Sequence, residues 1–129
     1  MGGNTRFNQV IVALILAYRH KKKHTHLRYF PRITELLDIL VDINYISNYS
    51  IVKMNVLVFL NYRAGRPAWS GVRIYNKPST PIRINSKAAR EIFYYNRCYL
   101  AVVWTRMGLV TSDTMTRVNL SGKLLYLFF

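Results

Sequence analysis

Apolar residues Phe7, Val10, Leu14 and Ala17 recur at three-to-four spacing near the start of the chain, while Arg6, Asn8 and Gln9 keep its opening polar. That period predicts a helix over 5–19 with Thr5 as its N-cap. The run between Ile11 and Leu16 is apolar around nearly the whole circumference, so a buried strand is the competing reading there. The cationic loop His20-Lys21-Lys22-Lys23-His24 follows, then a short extended piece over 25–29. Pro31 suits the first turn of a second helix, where a missing amide donor costs nothing. From Ile33 onward, Leu36, Leu37, Leu40 and Ile43 form one face and Glu35, Asp38 and Asp42 the opposite one.

β-Branched and aromatic residues dominate 45–52 and 55–62, separated by Lys53-Met54, which predicts two antiparallel strands. A turn at Ala64-Gly65-Arg66-Pro67 leads to a third strand over 69–75. Pro78 and Pro81 then each remove a donor and restrict the preceding residue, so a boundary is expected after residue 75. This divides the chain into an N-terminal α/β lobe, 1–75, and a C-terminal lobe, 76–129. Ser86 is placed as the cap of a short helix ending at Phe93, 98–104 as a strand and Gly108 as a turn. Thr111 or Ser112 would cap one or two further helical turns, and 123–129 would close the chain as a strand. Helices and strands do not alternate regularly, which predicts an α+β protein of two small lobes with helices packed on short mixed or antiparallel sheets.

Charge sharpens this picture. The 129 residues are 51% apolar, enough for a core, yet they carry 19 Lys and Arg against 5 Asp and Glu, a net charge of +14. Such an excess predicts a polyanionic partner, nucleic acid first and an anionic membrane surface second. The bias is strongest from Arg63 to Arg106, where nine cations face the single acid Glu91, so this stretch is expected nearest phosphate. The apolar run 10–18 has about half of the roughly 20 residues a membrane-spanning helix requires. A lone cysteine, Cys98, allows no internal disulfide and no cysteine-based zinc site. The few residues before the first helix leave no room for an Arg-rich import segment, so the chain is expected to be made where it works or to lack its targeting segment here. Arg6 stands where a myristoylation pattern requires Ser or Thr.

Catalysis is not expected. The sequence has no Gly-x-Ser-x-Gly elbow, no phosphate-cradling loop and no His-Glu-x-x-His, and Glu35, Asp38 and Asp42 share one exposed helical face. His20, His24 and His26 raise the question of a metal, but flanking lysines oppose a cation and no carboxylate or cysteine completes a ligand set. No cofactor and no small-molecule substrate is expected. Tyr94, Tyr95 and Tyr99 are open between base stacking and core filling.

Several runs carry a resemblance. Tyr62-Arg63-Ala64-Gly65 and then Val72-Arg73-Ile74-Tyr75-Asn76-Lys77-Pro78 are similar to the third strand and the Ser-basic-Pro-Gly turn of the small-subunit ribosomal protein eight family. Leu100 to Thr111 resembles that family's strand and Ser-Thr-Ser-x-Gly loop, with Thr105 and Gly108 in place. Leu120-Ser121-Gly122-Lys123 resembles its Gly-Gly-Glu signature, and Asn44-Tyr45-Ile46 its glycine-aromatic-Ile corner. The resemblance covers nearly the full length.

It implies a structural, non-enzymatic constituent of the small ribosomal subunit that binds the central domain of small-subunit rRNA and touches neighbouring ribosomal proteins. Asn76, Lys77, Pro78, Ser79, Trp104, Thr105, Arg106, Gly108, Ser121, Gly122 and Lys123 would contact RNA from the second lobe. Arg6, Arg19, Lys21 and Lys22 would add phosphate contacts from the first. Trp104 and Arg106 replace serines of the family pattern and Lys123 replaces a Glu, so the contact is expected to be remade by stacking and ion pairing, with Thr105 offering a hydroxyl to a phosphate or 2′-OH. The drift, together with the Tyr, Phe and Asn content, points to a mitochondrial ribosome, with a plastid or bacterial cytoplasm as the alternative.

Overall fold

The structure, a computed structural model, describes residues 2–77, 79–95 and 100–129, with side chains at 6–77, 79–91 and 100–129. It is α+β, as expected. The elements run α1 (Gly2–Arg19), β1 (His24–Arg28), α2 (Ile33–Asp42), β2 (Ile46–Val52), β3 (Asn55–Leu60), β4 (Tyr62–Arg63), β5 (Arg66–Pro67), β6 (Val72–Ile74), β7 (Arg83–Ile84), α3 (Ser86–Tyr95), β8 (Leu100–Thr105), β9 (Gly108–Thr111), α4 (Ser112–Val118) and β10 (Gly122–Phe128). Two compact units divide the chain, Met1–Trp69 and Ser70–Phe129.

In the first unit, β3 is the central strand of an antiparallel sheet of order β1-β3-β2. Leu27, Val56, Val58 and Leu60 turn inward and are buried, as are Phe7, Val10, Ile11, Leu14 and Ala17 of α1 and Ile33, Leu36, Leu37 and Leu40 of α2. The helix-or-strand ambiguity at 11–16 is resolved as helix. An uninterrupted apolar period this long exceeds an ordinary strand, and it keeps one wet side, where Val12 and Leu16 stay exposed.

Both helices stop on left-handed residues. The amides of Lys21 and Lys22 return to the carbonyls of Tyr18 and Ala17, and those of Asn44 and Tyr45 return to Val41 and Leu40. Lys21 and Asn44 have φ of +57° and +64°, the residue conformation this double-bonded stop requires. Pro31 lies outside α2, contrary to expectation, because the Ile33 amide closes a tight turn onto the Phe30 carbonyl and the helix starts only there.

The third strand of this sheet is β1, and the predicted strand at 69–75 goes elsewhere. Its core, β6, pairs antiparallel with β10, and Gly71 exchanges both backbone bonds with Phe129. The division therefore falls between Trp69 and Ser70 and not after 75. The prolines mark a local break, whereas the partner of a strand depends on residues fifty positions away.

The second unit has sheet order β6-β10-β8-β9, with β7 also on β10. Ala89, Ala101, Val103, Met115, Leu120, Leu124 and Leu127 form its core between the sheet and α3 and α4. Asn85, not Ser86, caps α3, its Oδ1 accepting the Ala88 amide at 2.9 Å. Ser86 Oγ instead donates to Asn119 Oδ1 at 2.6 Å, tying the start of α3 to the end of α4. Cys98 and Tyr99, Pro78 and the side chains of Tyr94 and Tyr95 lie outside the described residues. Among those described, no helix is long and apolar enough to cross a membrane, and no group of His, Cys, Asp and Glu could hold a metal ion.

Candidate nucleic-acid interface

In the first unit the cationic loop after α1 is anchored at several points. The Lys22 carbonyl accepts the Tyr62 hydroxyl at 2.6 Å and the Lys23 carbonyl accepts the Leu60 amide at 2.9 Å. Tyr18 braces the same corner, donating its hydroxyl to the Tyr45 carbonyl and accepting the Asn61 amide at 3.0 Å. Burial pushes the Tyr18 hydroxyl above its ordinary range, and the Asn61 bond pulls it back. A fixed backbone thus displays exposed Arg19, Lys21, Lys22 and Lys23. Arg19 also sits in the last turn of α1, where a cation complements the helix dipole, so one side chain serves both purposes. Arg6 is exposed at the other end of α1, with its guanidinium 5.6 Å from the Phe30 ring centre. It lines a cleft of about 550 Å³ with Gln9, Arg28, Tyr29, Phe30, Pro31 and Met54.

In the second unit the expected residues converge through strand register. Trp104 on β8 pairs with Lys123 on β10 and Leu109 on β9, and Lys123 pairs on its other side with Arg83 of β7. Residues directly opposed across strands share a face, so Arg83, Lys123, Trp104 and Leu109 form one row. Lys123 stands directly beside the half-buried indole in that row, and Arg83 lies one strand beyond Lys123. At its end β8 turns into β9, where Arg106 and Met107 form the exposed tip, Met107 being 68% accessible. Arg83 belongs to the basic stretch 63–106 but is not among the contact residues expected from the sequence. A two-residue strand carries too little pattern for sequence to show which way its cation faces.

A family model described as ribosomal protein S8 matches residues 7–129. The chain belongs to that family. The small ribosomal subunit protein uS8 of Mesomycoplasma hyopneumoniae strain 7448, and likewise that of strain J, is 24% identical over 108 residues, which cover 81% of this chain and 81% of the relative.

Within this S8-family chain, three expected contact residues have other work. Thr105 is 4% exposed; its hydroxyl donates to the Gly108 carbonyl at 3.0 Å and accepts the Met107 amide at 3.1 Å. The hydroxyl thus closes the hairpin tip and is not turned out for a phosphate or 2′-OH. Gly122 is buried opposite Thr105, and a Cβ there would overlap the Trp104 carbonyl oxygen. It is a close-approach residue between strands. Asn76 is 3% exposed, and its Nδ2 donates to the buried Tyr126 hydroxyl at 3.4 Å. Burial pushes that hydroxyl well above its ordinary range, and the Asn76 bond opposes the push. Asn76 therefore supports its turn from within.

The remaining expected residues of this unit that are described lie outward or at the tip. Lys77, Ser79, Arg106 and Ser121 are exposed, and Lys123 is half-buried. Gly108 has φ of +96°, a conformation that glycine accepts freely. Pro78 lies outside the described residues.

Proposed function

We propose that this protein is a structural constituent of the small ribosomal subunit, binding the central domain of small-subunit rRNA. The observation that carries the reading is the row Arg83, Lys123 and Trp104 together with the neighbouring Arg106 tip of the β8–β9 hairpin, which combines cations for phosphate with a ring for a base. The uS8 relatives, named as small-subunit proteins, support the same assignment. The work is binding without turnover, and neighbouring ribosomal proteins complete the surroundings.

The ribosome is proposed to be mitochondrial, with a plastid or bacterial one as the alternative. Ten Tyr and six Phe among 129 residues support an organellar setting. Fractionation of the native cells would decide it.

Two experiments test the function. The protein is expected to sediment with small subunits through moderate salt and to crosslink to their RNA. Sedimentation apart from ribosomes, on anionic vesicles, would overturn the reading. Trp104→Ala combined with Arg106→Ala should weaken binding to small-subunit rRNA at least tenfold, on the order of the worth of one stacked base. Lys22→Ala should cost a few-fold at most. Equal losses would remove the hairpin tip as the anchor.

A further inference from the structure

In the first unit, the open face of the β1-β3-β2 sheet carries an ordered set of side chains. Register aligns His24, Phe59 and Asn48 in one row across the three strands, His26, Leu57 and Ser50 in the next, and Arg28, Asn55 and Val52 in the third. Phe59 stands on the central strand and is 39% exposed, while Val58 and Leu60 on either side of it are buried. The His24 ring centre lies 6.4 Å from that of Phe59, and the His26 ring stands nearly perpendicular to His24 at 6.0 Å. At the β1 edge, Lys22, Lys23, His24, Thr25 and His26 line a cleft of about 420 Å³.

Charge selects the occupant. The three acids of this unit, Glu35, Asp38 and Asp42, all belong to α2, so none stands in these rows. Asn48, Ser50 and Asn55 interrupt the apolar positions, so the face lacks the continuous apolar centre that a tightly packed protein partner needs. An exposed ring on a central strand, smaller rings and short polar groups around it, and cations at the margin together suit an unstacked base and its phosphates.

We propose that this sheet face is a second RNA site, which takes single-stranded RNA with one base on Phe59 between His24 and Asn48, and the backbone along Lys22, Lys23 and Arg28. It rests on the RNA-binding reading above and adds a contact on the first unit, separate from the Trp104 row.

The test uses the full-length protein and a fluorescein-labelled single-stranded heptamer of uridine, with a 4-thiouridine version for crosslink mapping. Phe59→Ala should weaken heptamer binding about tenfold and Phe59→Tyr should preserve it, because the ring plane is what the base uses. Crosslinks should fall on the peptides spanning 24–28 and 55–60. If Phe59→Ala does not fold, the double variant His24→Ala, His26→Ala replaces it, with a several-fold loss expected. A folded Phe59→Ala that binds as wild type, crosslinks confined to 70–129, or a wild-type protein that does not bind the heptamer would each overturn the proposal. Co-sedimentation with small subunits is scored separately: its persistence alongside any of these results removes the sheet site alone, whereas its absence removes the ribosomal reading.

Discussion

Gly122 and Thr105 face each other across β10 and β8, and each is determined by what its neighbour leaves available. Gly122→Ala should cost about 2–3 kcal/mol, since the added methyl meets backbone that cannot rotate away. A lowered urea midpoint at unchanged slope would show it; an unchanged midpoint would mean the strands separate easily. Thr105→Val keeps the shape but removes both hydroxyl bonds, at about 1 kcal/mol for each. Hydrogen exchange at the Met107 amide should accelerate in that variant and stay slow in Thr105→Ser. Both residues are easily noticed in the sequence as members of a loop pattern. Their inward direction is not, because a threonine written beside a glycine carries no sign of which oxygen or amide its hydroxyl will meet.

Among elements, α2 and β2 are joined by the Tyr49 hydroxyl, which donates to Asp38 Oδ1 at 2.5 Å. That bond, with some burial and the carboxylate charge, pushes the Tyr49 hydroxyl up to about 12 from 10.0. The folded protein therefore holds this proton more tightly than the unfolded chain does. The stabilisation is complete below about pH 10 and is lost as pH rises towards about 12. Tyr49→Phe should be less stable than wild type at pH 8, and the gap should close across that window in chemical unfolding curves; a constant gap would assign the bond no titrating role. The two N-terminal helices are legible from their three-to-four period, whereas the left-handed stop at Asn44 is shown only by the structure. β5, β7 and β9 are not foreseen; Leu109, Val110 and Thr111, for example, become a strand only by lying beside Val102, Val103 and Trp104.

For the whole molecule the dominant fact is a net charge of +14, so the proposed binding to RNA is expected to depend on salt. Each phosphate neutralised contributes about 0.7–0.9 to the slope of log affinity against log salt. Replacing Arg83, Arg106 and Lys123 together with glutamine should therefore lower that slope by roughly 2–3. An unchanged slope would place the row away from phosphate. The sequence by itself determined the basic character, the α+β class, both N-terminal helices and the resemblance that led to the family, because composition and short-range period are local properties of the chain. Only tertiary structure decided that 72–74 joins the second unit, that Arg83 lines up with Lys123 and Trp104, and that Thr105, Gly122 and Asn76 turn inward. Those outcomes are set by which distant strand offers a free edge and by the side of the sheet on which a residue lands, and neither is written in the order of neighbouring residues.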